Sequence, residues 1–170
     1  MKRIMVASCF VAAAVLMLAL CLHQTGRNLE IVGSAQAAQP RVVVLKIATP
    51  TNGQKVHHRC PMSGTVDNMP AGMQLWVVKE PSPNNFHPDA PKATITGNEW
   101  RATAYVGNNR AGSDTGTEFP IHIVLTSAAT GQKFEKYLQT AAANGWPGLD
   151  TIFDGRILAT TKVIRDDSAK

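Results

Sequence analysis

An all-β fold is predicted, an antiparallel β-sandwich of about seven strands with one short amphipathic helix before the last strand, and three observations predict it. Past residue 40 the chain is a series of short segments in which alternate positions are apolar, the period of a strand with one buried face. Dense turn signals separate them at roughly the 8–12-residue spacing of a sandwich. A single segment switches to a helical period.

The first strand runs from Arg41 to Thr49, with Val42, Val44, Lys46 and Ala48 on one face and Val43, Leu45 and Ile47 on the other. Pro50-Thr51-Asn52-Gly53 ends it, the Asn-Gly pair suiting the positive φ of a tight turn. A second strand is expected from Lys55 to Val66, with Val56, His58, Cys60, Met62, Gly64 and Val66 inward. Pro61 within it cannot donate to a ladder and requires an edge or a bulge. After the Asp67–Gly72 turn, Met73 to Lys79 is a third strand, strongly apolar from Leu75 to Val78. The segment from Pro81 to Pro91 carries Pro81, Pro83, Pro88 and Pro91, so it reads as a loop and not a central strand.

Ala93–Thr96, a Gly97-Asn98 turn and Glu99–Val106 form a hairpin, with Trp100, Ala102 and Ala104 facing the core and Arg101, Thr103 and Tyr105 opposite. A polar loop from Gly107 to Glu118 precedes a strand from Phe119 to Thr126. There Ile121, Ile123 and Leu125 share the inner face, which puts His122 and Val124 on the other, toward solvent. From Gln132 to Ala143, Phe134, Tyr137, Leu138, Ala141 and Ala142 recur at helical spacing, and Asn144-Gly145 supplies a C-cap. The helix is expected to cap one end of the sandwich. Arg156 to Ile164 is the last strand, with Ile157, Ala159, Thr161 and Val163 on one face. Residues 166–170 read as a polar, fraying tail.

Several of these strings resemble bacterial immunoglobulin-like domains. Ile47-Ala48-Thr49-Pro50-Thr51-Asn52-Gly53-Gln54-Lys55-Val56 is similar to their I-x-x-P-x-x-G-x-x-V opening, and Ser63-Gly64-Thr65-Val66 to their V-S-G-T element, with Met62 in place of the usual Val. Gln74–Val78 resembles the third strand, and Gly97-Asn98-Glu99-Trp100 the G-x-W hairpin with one extra residue. Gly116–Ile121 resembles the entry to the penultimate strand. The resemblance covers most of residues 43 to 164. It implies an immunoglobulin-like β-sandwich serving as an extracytoplasmic adhesion, spacer or sensory module. It implies no catalytic residue. The helical insertion and the lack of a disulfide depart from the antibody-type pattern.

The leader sets the expected compartment. Lys2 and Arg3 precede an apolar run from Ile4 to Leu22 broken only by Ser8, and Ala35-Gln36-Ala37 is an A-x-A-like cleavage site. Residues 1–37 therefore read as a signal peptide cut before Ala38. The alternative is an uncleaved N-terminal anchor, because the run approaches the roughly 20 residues that span a bilayer. Either reading exports the domain at 41–165 to the periplasm, the cell surface or the medium. Acylation is disfavoured because Leu20, not a small residue, precedes Cys21. Cys9 and Cys21 lie in the leader, which leaves Cys60 alone without an intramolecular disulfide partner.

Leader charges Lys2, Arg3, Arg27 and Glu30 contribute +2 of the net +5, leaving +3 beyond it. The remaining charges are interspersed, with no basic stripe of the kind nucleic acid selects. The expected partner is a protein or glycan of the cell envelope, with membrane contact only through an uncleaved leader. No cofactor is implied.

Candidate chemistry is sparse. His57-His58-Arg59-Cys60-Pro61-Met62 offers imidazole, thiolate and thioether, a soft set that suits copper or zinc handling. Successive side chains on one strand face stand about 6–7 Å apart, too far to share an ion without a bend. The competing reading puts Cys60 and Met62 in the core. His87 and His122 are the further imidazoles that could join them. For a secreted hydrolase, Ser63, Ser82, Ser113 and Ser127 all lack a nucleophile-elbow context. The acidic pairs Asp114/Glu118, Asp150/Asp154 and Asp166/Asp167 lack calcium-loop density. What remains are loop groups able to stack on a sugar or anchor a partner: Phe86 and His87 in the proline-rich segment, and Trp146 at the helix exit.

Overall fold

The computed structural model describes residues 41–168, so the leader expectations for residues 1–37 lie outside the described residues. Nine strands and one helix are present among them: β1 (Val44–Thr49), β2 (Gln54–Val56), β3 (Arg59–Asp67), β4 (Gln74–Ser82), β5 (Asn85–Pro88), β6 (Thr94–Thr96), β7 (Glu99–Tyr105), β8 (Glu118–Thr126), α1 (Ala128–Ala141) and β9 (Arg156–Arg165). The strands form a four-stranded sheet, β1-β3-β7-β6, and a five-stranded sheet, β2-β9-β8-β4-β5. The fold is a predominantly β, two-sheet sandwich. Among the described residues no helix is long and apolar enough to cross a membrane.

Alternation places the main core as expected. Cys60, Met62 and Val66 from β3, Trp100 and Ala104 from β7, and Ile121, Ile123 and Leu125 from β8 are all buried in one cluster between the sheets. The expected single strand from Lys55 to Val66 is instead two. β2 joins the five-stranded sheet and runs parallel to β9, with Gln54 opposite Val163. The chain then crosses at His57-His58 to the other sheet. A parallel partner more than 100 residues away leaves no mark in local periodicity. This corrects both the strand count of about seven and the wholly antiparallel expectation. Pro61 keeps its edge character: β1 pairs with β3 only as far as Ser63, so Pro61 has a neighbour on the β7 side alone. The proline-rich segment likewise contains only an edge strand, β5, folded back on β4.

α1 does not cap an end of the sandwich. It lies on the outer face of the five-stranded sheet, where Phe134 joins Trp76, Val78 and Val124 in a second buried cluster. Trp76 and Phe134 meet edge-on, ring centres 5.3 Å apart at 78°, an arrangement worth about 0.5–1.5 kcal/mol beyond area burial. Both faces of β4 and β8 are thus covered, which explains why Leu75–Val78 is apolar without alternation. Gly131 permits the close docking, because a Cβ there would lie 2.1 Å from Gln74 Oε1.

The helix starts at Ala128, earlier than periodicity suggests, because Ser127 caps it. The Ser127 hydroxyl accepts from the Thr130 amide at 3.2 Å and donates to Asp154 at 3.0 Å. The helical period itself begins only at Gln132, beyond the cap. Ser127→Ala is expected to lower stability by about 1–2 kcal/mol, measured by urea denaturation.

Three further differences follow from tertiary packing. A bulge opposite Ile123/Val124 removes Leu158 from the β8–β9 pairing. Leu158 then packs on the core and Ile157 is 42% exposed, so Ile157 does not share the buried face of Thr161 and Val163 on which strict alternation puts it. Arg165 is buried, donating to the Val106 carbonyl at 2.6 Å and to Asp167 at 2.7 Å. The start of the expected fraying tail is tied down, since the Asp166 amide donates to the Val56 carbonyl at 2.9 Å and its carboxylate pairs with Lys55.

Candidate ligand-binding cleft

A cleft of about 820 Å³ opens where the β4–β5 hairpin, the end of β7, the Gly107–Glu118 loop and the exit of α1 meet. The volume is in the range of small-molecule sites. Pro81, Pro88, Ala90, Phe119, Leu138 and Trp146 supply apolar wall, and Lys79, Asp89, His58, His87, Asn108 and Asp114 supply polar groups.

The floor is a buried ion pair. Lys79 Nζ lies 3.0 Å from Asp89 Oδ1, with side-chain exposures of 15% and 6%. Lys79 also donates to the Tyr105 carbonyl, and the Tyr105 amide donates to Asp89 Oδ2 at 3.0 Å. The pair therefore ties the β4–β5 hairpin of one sheet to the end of β7 in the other. Burial pushes the Asp89 carboxyl above its usual range, and the Lys79 ammonium and the Tyr105 amide oppose that shift.

His87 is half-buried on the wall. Its Nδ1 lies 3.1 Å from the Tyr137 hydroxyl. Burial, then the positive charge of Lys79, lowers its pKa, and burial raises that of Tyr137, so the couple is neutral near pH 7. His58 Nδ1 lies 3.1 Å from the Val106 carbonyl. A carbonyl only accepts, so Nδ1 donates to it and Nε2 is left without a protein partner. The His58 ring also tilts against Tyr105 at 5.7 Å.

Trp146 forms the rim. It is 50% exposed, although Trp76 and Trp100 are fully buried. Its backbone is left-handed, φ 56°, a conformation rare for a bulky residue that costs on the order of 1–3 kcal/mol. Gly145 before it is left-handed too, and the Trp146 amide donates to the Ala141 carbonyl at 2.8 Å. The helix exit thus holds the indole against Tyr137 in a T-shaped arrangement, centres 6.5 Å apart at 68°.

The residues singled out in the sequence separate cleanly. His87 and Trp146 meet at the cleft, whereas Phe86 is not among the residues that line it. The Phe86 backbone bridges Leu149, and its ring packs on the outer cluster 6.3 Å from His122. The soft set does not converge either. Cys60 and Met62 are 3% and 2% exposed within the core, and His57 is on the surface. Burial raises the Cys60 thiol to about 11, so it is not a ready thiolate. Among the described residues no three His, Cys, Asp or Glu side chains are grouped to hold a metal ion.

His122 does not face solvent. It is 7% exposed, with the Phe86 ring 6.3 Å away, Thr160 Oγ1 at 2.9 Å and Glu80 Oε2 at 3.0 Å. The acidic pairs have local partners: Asp154 serves the helix cap, Asp166 pairs with Lys55, and Asp167 pairs with Arg165. Lys79, Asp89, Tyr137 and Asn108 escaped the sequence reading. Lys79 ends an apolar run, and that is the one local signal any of them carries.

Comparison with protein-family models, curated proteins and solved structures gives no match.

Proposed function

We propose that this chain is a non-enzymatic binding module of the immunoglobulin-like β-sandwich type, acting outside the cytoplasm on a ligand of the cell envelope held in the cleft. The observation that carries the reading is the meeting of His87 and Trp146, from segments about 60 residues apart, on one cleft with a buried charged floor. Trp146 offers that cleft a half-exposed indole on a left-handed backbone position. The compartment rests on the leader pattern of residues 1–37, and the immunoglobulin-like type on the strings at residues 47–56, 63–66 and 97–100. A hydrolytic reading lacks a serine beside a base: Ser113 and Ser127 are engaged in loop and cap bonds.

A titration followed by amide NMR tests the cleft, with 1-anilinonaphthalene-8-sulfonate as an amphipathic probe. Shifts concentrated at His87, Tyr105 and Trp146, and lost in Trp146→Ala, are the expected result. Shifts scattered over the sheets, or none at all, would remove the cleft as a binding site. Trp146→Ala is expected to change stability by less than about 1 kcal/mol, as for an exposed position. Phe86→Ala, which opens the outer cluster, is expected to cost about 2 kcal/mol, read from urea midpoints.

A further inference from the structure

We infer that the ligand class of the cleft is a neutral saccharide, stacked on Trp146 and bonded through its hydroxyls to His58, Asn108 and Asp114. This rests on the cleft being the binding site. Among the described residues, the lining groups with capacity that no protein partner uses include His58, Asn108 and Asp114. His58 Nε2 has no protein partner, because the ring's one bond is from Nδ1 to the Val106 carbonyl. Asn108 Oδ1 accepts from the Arg110 amide at 2.8 Å and from Ser113 Oγ at 2.7 Å. That fixes the amide orientation and leaves the Nδ2 protons free. Asp114 Oδ2 accepts from the Asn108 amide at 2.7 Å, and its Oδ1 has no donor. Lys79 uses two of its three protons, on Asp89 and Tyr105.

The free set is therefore mixed, acceptors and donors together, beside two aromatic rings, Tyr105 and Trp146. A wholly apolar ligand would bury His58 Nε2, Asn108 Nδ2 and Asp114 Oδ1 without partners, which is unfavourable. An anion would meet Asp114, whose charge no cation in the cleft balances, because Lys79 is already paired with Asp89. A peptide adding a strand is blocked: the outer edge of β5 is taken by Leu149 at Phe86 and ends in Pro88, which has no N–H. Sugar hydroxyls donate and accept in turn, and the C–H face of a pyranose fits an aromatic ring.

The test uses the folded domain with maltotetraose, cellotetraose and tetra-N-acetylchitotetraose as probes, read by tryptophan fluorescence and amide NMR. Trp76 and Trp100 are buried, so acrylamide quenching reports Trp146. The expected result is saturable protection of Trp146 by at least one tetrasaccharide, weakened at least tenfold by Trp146→Ala. Asn108→Asp, which keeps the loop-forming Oδ1 and removes the free donor, is expected to weaken it severalfold with an unchanged amide spectrum elsewhere. If no tetrasaccharide binds while the anilinonaphthalene probe still fills the cleft, the saccharide inference falls and the binding-module reading stands. If neither binds, both fall. Saccharide binding that is insensitive to Trp146→Ala would also overturn the inference.

Discussion

Lys79→Met is expected to destabilise the domain by about 3–5 kcal/mol, because it strands the Asp89 carboxylate in a buried site. Asp89 is 5% exposed, and its remaining partner would be the Tyr105 amide. The loss should be steepest where the two sheets are pinned together, since the pair links β4 and the chain after β5 to β7. The pH dependence has a definite sign. Burial already raises the Asp89 carboxyl and Lys79 opposes the rise, so without Lys79 the folded-state pKa climbs further. A raised folded pKa means that stability is present below the unfolded value and is lost as pH rises through the folded one. The deficit of Lys79→Met relative to the parent should therefore grow as pH rises above about 4, the ordinary Asp value. Lys79→Met/Asp89→Asn should recover part of the loss by removing the buried charge. Urea denaturation at several pH values reads all three. A Lys79→Met protein within about 1 kcal/mol of the parent at pH 7 would show that the pair is solvated and not a buried tie.

Gly64→Ala is expected to cost about 3 kcal/mol, at the upper end of overpacking effects. A Cβ on Gly64 would stand 1.9 Å from the Lys46 carbonyl oxygen and 2.8 Å from Trp100 Nε1. The neighbour is backbone, so it cannot rotate away, and β1 must part from β3. The same carbonyl accepts from Trp100 Nε1 at 3.2 Å, so the clash also endangers the hydrogen bond of a fully buried indole. Thermal unfolding with near-ultraviolet circular dichroism would show a lower midpoint and a changed Trp signal. An unchanged midpoint would mean that the β1 edge yields freely.

Much of the sandwich was readable because strand signals are local. Trp100, Cys60, Met62, Ile121 and Ile123 went inward on period two alone. The misreadings have nonlocal causes. His122 looked solvent-facing because alternation cannot reveal that Phe86 and Glu80, from the other side of the sheet order, close over it on the outer face of β8. The unalternating run at Leu75–Val78 was the trace of that cover, and it was legible as apolar without being recognised as doubly buried. Ile157 and Leu158 exchanged places through a single unpaired residue in β9, and the bulge flips the faces on either side of it.

The cleft divides the same way. Trp146 and His87 stood out in the sequence as an aromatic at a helix exit and a histidine among prolines. Lys79, Asp89 and Asn108 did not, since each is an ordinary polar residue within its own segment, and His58 stood out only as part of a soft metal set that does not converge. By itself, the sequence determined the β class, most of the strand faces, the turns and the position of the helix along the chain, because these depend on steric and solvation preferences acting over a few neighbouring residues. Tertiary structure alone decided that β2 pairs with β9, that α1 lies on a sheet face, and that Lys79, Asp89, Tyr105 and Trp146 share one cleft. Those outcomes depend on which distant surfaces best bury apolar area while leaving each buried polar group a partner.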